Sequence, residues 1–242
     1  VRTPTQFKGR AAIRSNCSGF TIIELLLVIV IVAILSSLLV PALGQVRRRG
    51  EATVCINNLK QIGYAFRIFA HENNANYPWR VPTSEGGSKG LQSAWQHYSK
   101  ISDEIVTPKV FRCPSDKERK MKTATSWENR PGGFQRLKNS SLSYFAGTDA
   151  DETLSLSLLA GDRNVIGTRE SDPCAYGGNI VATSLDANKP LSSIGWEKSL
   201  HVKYGNVAGG DGSVLRLSRK GLQSVVGVSK EPNLNNHILK PE

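Results

Sequence analysis

Residues 20–40 read FTIIELLLVIVIVAILSSLLV. As a helix this run is about 31 Å long, enough to cross the hydrocarbon core of a bilayer. Its single charge is Glu24. A carboxylate at membrane depth costs about 2.5–3.5 kcal/mol even on insertion scales, so a plain anchor has no use for it. Two uses present themselves: a role in assembly, or a place near the interface where it favours the helix N-terminus through the dipole. Upstream, residues 1–19 form a basic leader with Arg2, Lys8, Arg10 and Arg14 and no acid, the pattern of an export signal. An ordinary signal peptide would be cut at Ala42-Leu43-Gly44. Against that cut, the apolar core is longer than a secretory one and holds an acid.

Downstream, Pro41, Gly44 and Gly50 weaken the helix, so a kink near residues 41–50 is expected. Helical periodicity then returns. Cys55, Leu59, Ile62, Phe66 and Phe69 recur at spacings of three and four, which predicts an apolar stripe facing a core. Asn58, Lys60, Gln61 and Arg67 are read as the opposite, polar face. The run 73–78, NNANYP, ends the helix, giving one helix over 20–76 that spans the membrane over 20–40.

Residues 77–242 are punctuated by Gly, Pro, Asn and Ser. A short helix is expected within 91–105, and strands at 142–146, 155–160 and 179–185. A hairpin is expected at 205–217, turning at Asp211-Gly212. Residues 221–228 read as a short helix or an edge strand. The fold class expected is α+β: a long N-terminal helix packed on a small antiparallel sheet with long loops. The chain has 242 residues and a net charge of +11. Its basic residues form no aromatic-interleaved stripe, so nucleic acid is not the expected partner. Four cysteines, Cys17, Cys55, Cys113 and Cys174, are too few and too dispersed for a disulfide-dense scaffold.

The stretch Ser18-Gly19-Phe20-Thr21-Ile22-Ile23-Glu24-Leu25 resembles the processing site of type IV prepilins and type II secretion pseudopilins. That resemblance implies cleavage between Gly19 and Phe20 by a prepilin peptidase and N-methylation of Phe20. It also makes Glu24 the assembly acid, neutralising the Phe20 amine of a neighbouring subunit. A pair within one chain is the competing reading, since the residues lie four apart. Further phrases are similar to a prepilin-type processing-associated group: CINNLKQIG at 55–63, FRCPSD at 111–116, AGDRN at 160–164, and His201 nine residues before Asp211-Gly212. The group has glycines soon after the His, where this chain has Val202-Lys203-Tyr204.

The resemblance implies a pilin-like fold. It also implies a single-pass protein of the bacterial inner membrane with its C-terminal domain in the periplasm, or assembled in a periplasmic or surface fibre. Other pilin-like subunits and an inner-membrane assembly platform are the implied partners, with protein secretion or adhesion as the outcome. Outside the cytoplasm Cys55 and Cys113, each in a matched phrase, are able to form a disulfide; two free buried thiols are the alternative. Cys17 leaves with the leader and Cys174 stays single. His201 and Asp211 are expected to act structurally, His201 bonding near the hairpin turn; no nucleophile or further ligand is marked, so no enzyme, metal site or cofactor is expected. Calcium stays open, with Asp162, Asp172, Asp186 and Asp211 as oxygen donors whose spacing selects none. The competing functions are a membrane-anchored extracytoplasmic module binding protein or glycan through Trp79, Trp95, Trp127 or Trp196, and a tethered hydrolase using His201 and Asp211. Burial of the tryptophans and of His201 would disfavour both.

Overall fold

The structure is a computed structural model that describes residues 19–118, 120–167, 169–173, 181–184, 191–201, 204–228 and 236–241. Residues 1–18 of the leader, with Cys17, and also Cys174 and Asp186, lie outside the described residues. The chain divides into two compact units, residues 1–46 and 47–242.

In the first unit, Gly19 to Thr21 lead into helix α1 (Ile22–Glu72), which contains Pro41. Thr21 is its N-cap. The Glu24 carboxylate accepts hydrogen bonds from Thr21 N (2.8 Å) and Oγ1 (2.7 Å), while Thr21 Oγ1 accepts from Glu24 N (3.3 Å). This is a reciprocal capping box of the Thr-x-x-Glu kind. The apolar side chains from Ile22 to Val40 are exposed, and the helix is long and apolar enough to cross a membrane.

In the second unit, the rest of α1 packs on an antiparallel sheet. Strands β1 (Tyr144–Gly147), β2 (Leu158–Asp162), β7 (Tyr204–Gly209), β8 (Val214–Ser218) and β9 (His237–Leu239) lie in the order β9-β1-β2-β7-β8. The hairpin of β4 (Arg169–Pro173) and β5 (Val181–Ser184) extends the sheet at the β9 edge. Strands β3 (Val165–Ile166) and β6 (Gly195–Trp196) form a separate antiparallel pair. The expected hairpin is present, with Ala208 opposite Val214 and Tyr204 opposite Ser218. Its turn needs Gly212, whose φ is +82°.

Strand alternation sorts the interior into two cores. Tyr144, Ala146, Ala208 and Leu239 face α1, where Leu59, Ile62 and Phe66 meet an aromatic cluster. Phe66 lies edge-on to Trp79 (5.4 Å) and Tyr98 (5.3 Å), and Tyr98 to Phe111 (5.1 Å). Such pairs add about 0.5–1.5 kcal/mol each beyond area burial. Phe145, Leu158, Val207 and Ile238 point the other way, onto Leu222 and Val226 of α4 (Arg219–Val228) and onto Val165 and Trp196. The sheet is therefore covered on both faces, and residues 221–228 are helical. Gly161 is required where it stands: a Cβ there would lie 2.6 Å from the Phe145 ring.

One expectation about α1 fails. Asn58 is buried on the core side, not on a polar face. Its Nδ2 donates to Arg112 O (3.1 Å) and Tyr144 Oη (3.4 Å), which satisfies the amide inside the domain. Arg67, by contrast, is half-exposed and pairs with Glu152 at 3.0 Å. The short helix expected in 91–105 is α2 (Ala94–Tyr98), opened by a capping box from Ser93. Helix α3 is Phe134–Leu137.

Candidate functional site

Two sets of singled-out residues lie in separate units. In the first, Gly19 and Phe20 form an exposed, non-helical lead-in to α1, with Glu24 one turn inside. Phe20, Ile22, Ile23 and Leu25 are all exposed. The Thr21 cap occupies one Glu24 oxygen, Oε2.

In the second unit the polar residues of the matched phrases converge behind α1. Cys55 and Cys113 form a disulfide with Cα atoms 5.1 Å apart, joining the apolar stripe of α1 to the loop after Phe111. Lys117 in the same loop reaches Glu51 of α1 at 3.1 Å. His201, 7% exposed, sits against this bond with Nε2 3.7 Å from Cys113 Sγ. Asn206 Nδ2 donates to His201 Nε2 (3.2 Å) and to Asp162 Oδ2 (3.0 Å), and Asn206 N also donates to Asp162 Oδ2 (2.7 Å). Asp162 and His201 approach to 3.5 Å, but this is not a strong ion pair. Burial pushes the Asp162 carboxyl up to about 7, against the pull of the Asn206 bonds. Burial, helped by the Arg216 charge, pushes His201 down to about 4. Each group is driven toward its neutral form.

A second buried group lies alongside. Burial would raise Asp116, yet its pKa is lowered, because Arg163 grips it with two bonds (2.8 and 3.0 Å) and Ser143 Oγ donates at 2.9 Å. Arg163 also contacts Glu118. Asp116 comes from the Cys-Pro-Ser-Asp phrase and Arg163 from the Ala-Gly-Asp-Arg-Asn phrase. Neither was singled out from the sequence, although those phrases carried the signal. Beside them, a cavity of about 670 Å³ is lined by Val54, Asn58, Lys109, Arg112 and Lys117 among others.

His201 and the hairpin turn are not brought together in the way expected. Asp211 Oδ1 caps its own turn by accepting from Ser213 N (2.9 Å), while His201 bonds to Asn206, at the start of the hairpin rather than its tip. The reason is reach: the aspartate is satisfied locally, and Asn206 supplies the donor that the buried imidazole nitrogen needs. Of the acids considered for calcium, Asp162 is enclosed by Asn206, and Asp211 is exposed and engaged in its turn. Nothing is described of the Asp172 side chain or of Asp186. Among the described residues, one group offers three metal-binding atoms, Cys55, Cys113 and His201.

Trp79 is fully buried, Trp196 is buried, and Trp95 and Trp127 pack partly buried against the core. These positions build the interior and leave no row of open indole faces. Among the described residues no accessible nucleophile stands beside His201, which is enclosed.

Comparison with known proteins supplies the rest. Residues 14–40 match the model of the prokaryotic N-terminal methylation motif. Over 98 residues, 40% of this chain, the sequence is 32% identical to type II secretion system core protein G of Pectobacterium carotovorum subsp. carotovorum. The match covers 54% of that protein, so the chain spans about half the length of the relative. No solved structure matches. The methylation motif implies processing by a prepilin peptidase, and pilin-like proteins are in general structural subunits rather than enzymes. The chain thus joins a prepilin-type N-terminal methylation motif to a pilin-like α+β architecture, and it is a distant homologue of a type II secretion pseudopilin.

Proposed function

We propose that this chain is a pilin-like structural subunit, cut between Gly19 and Phe20, N-methylated at Phe20, and assembled into a type II secretion pseudopilus or a type IV pilus-like fibre. The observation that carries this reading is the helix start: an exposed apolar run whose single acid, Glu24, lies within its first turn. Before assembly the bilayer covers that apolar surface, anchoring the chain in the inner membrane with residues beyond it in the periplasm. In a filament, neighbouring helices replace the lipid. The new Phe20 amine is then a cation among apolar side chains, and it needs a partner charge. Glu24 of another subunit supplies it as a carboxylate–ammonium pair. The assembly platform and the other subunits of the fibre belong to the same proposal.

The test has two parts. Mass spectrometry of the mature N-terminus is expected to show N-methyl-Phe20; a chain starting at Gln45 instead means ordinary signal cleavage and defeats the proposal. Glu24→Val is expected to leave membrane insertion intact and to abolish recovery of the chain in sheared or overproduced filaments. Normal incorporation of that variant removes the charge-neutralisation argument.

A further inference from the structure

Cys55 Sγ, Cys113 Sγ and His201 Nε2 lie within 4.8 Å of one another, and all three residues are buried. The distance from Cys113 Sγ to His201 Nε2 is 3.7 Å. A thiolate at about 2.3 Å and an imidazole nitrogen at about 2.0 Å from one tetrahedral zinc stand about 3.5 Å apart, so that pair is already close to ligand spacing. The cysteine Cα atoms are 5.1 Å apart, which keeps both sulfurs beside the imidazole once they are no longer bonded to each other.

We propose that reduction of the Cys55–Cys113 bond turns this cluster into a site for a thiophilic divalent cation of the zinc class, with Cys55, Cys113 and His201 as ligands. The reductant is a dithiol. It gives two electrons and two protons to the disulfide and becomes a cyclic disulfide itself; the sulfur–sulfur bond breaks and two cysteine thiols form. Binding of the cation then releases those two protons to solvent. Two thiolates cancel the double charge of the ion, so the cluster is neutral and suits a buried place. The amide of Asn206 donates to Nε2, which marks that nitrogen as the one bearing the lone pair. Asp162 Oδ2 lies 3.5 Å from Nε2, and the Oδ1 of the same carboxyl has no hydrogen-bond partner among the described residues. The domain would then hold α1 to the loop at Cys113 in either redox state, by a covalent bond when oxidised and through the ion when reduced. This inference is independent of filament assembly.

The test uses the full chain in detergent carrying Cys17→Ser and Cys174→Ser, so that the thiols come from Cys55 and Cys113. The chain is reduced with dithiol in denaturant, freed of reductant and refolded without oxygen, with Co²⁺ as the probe. Expected are one Co²⁺ per chain, a thiolate-to-cobalt charge-transfer band, tetrahedral visible bands and displacement by Zn²⁺, all with a native near-ultraviolet circular dichroism spectrum. The oxidised chain is expected to show no such band, and His201→Ala to bind at least about ten-fold more weakly. A reduced chain that folds only when the ion is added also supports the site. The proposal is overturned if the reduced chain gives no charge-transfer band, if His201→Ala binds as tightly, or if cobalt binds without the native spectrum.

Discussion

Replacing both cysteines of the Cys55–Cys113 bond by alanine removes the covalent tie between α1 and the loop at residues 111–118. The two positions are 58 residues apart. Closing a loop of that size costs the unfolded chain roughly 14 cal/mol/K in the chain-entropy treatment, or about 4 kcal/mol at 25 °C. Both side chains are fully buried, so the loss of two sulfurs adds a small packing cost in the same direction. For a domain of 150–250 residues, 1 kcal/mol moves the melting midpoint by about 2–4 °C. The double variant is therefore expected to melt roughly 8–16 °C below the parent. The assay is thermal unfolding of the full chain in detergent, followed by fluorescence of the buried tryptophans under air. A companion experiment alkylates the denatured, unreduced parent: Cys174, and Cys17 where the leader is present, are expected to react, and Cys55 and Cys113 to be spared. A midpoint within about 3 °C of the parent, or alkylation of Cys55 or Cys113, refutes the reasoning.

Asp162 has a folded pKa above its unfolded value, so the folded state binds the extra proton and its contribution falls as pH rises from about 4 to 7. His201 has a folded pKa below its unfolded value, so its contribution rises over about 4 to 6.5 and opposes the first. Asp162→Asn is expected to expose the histidine alone, giving stability that climbs more steeply with pH across that window than in the parent; an unchanged profile in chemical denaturation rejects this. Arg163→Ala leaves Asp116 buried without its partner, and is expected to cost about 3 kcal/mol. Arg163→Lys is expected to restore less than half of that, because a lysine cannot make both bonds; full rescue in urea titration would contradict it.

The parts of the fold legible from the sequence are those with a period. The 3.6-residue stripe from Cys55 to Phe66 places α1 against the core because every member of it is buried. Asp211-Gly212 marks the hairpin because the turn demands a positive φ, which Gly212 supplies. Strand β9 carries no such mark. It is three residues long and earns its place only by filling the slot between β1 and β5. Residues 221–228 read equally as helix or strand until Leu222 and Val226, four apart, are seen to face the second core together. Asn58 was placed on the wrong face for a related reason. A polar residue at a core position looks like a solvent residue until its partners, Arg112 O and Tyr144 Oη, are in place. Periodicity reports hydrophobic burial, and it is silent where burial is achieved by hydrogen bonding.

That silence bears on what the matched phrases do. Cys113 and Asp116, Asp162 and Arg163, and His201 come from three separate stretches of the sequence. In the folded domain their side chains are spent on one another: Arg163 on Asp116, Asn206 on both Asp162 and His201, and His201 beside the disulfide. The acid and the imidazole are both enclosed, Asp162 fully and His201 to within 7%. What the arrangement does supply is specificity of packing. A polar group buried without its partner costs about 1–3 kcal/mol, so a slipped α1 or a shifted β7 would strand several such groups at once. The same seam lies on the α1 side of the domain, where the disulfide and the Glu51–Lys117 pair also hold. In the fibre proposed above, a load-bearing helix needs its domain fastened to it, and the disulfide and the Glu51–Lys117 pair are placed to do so.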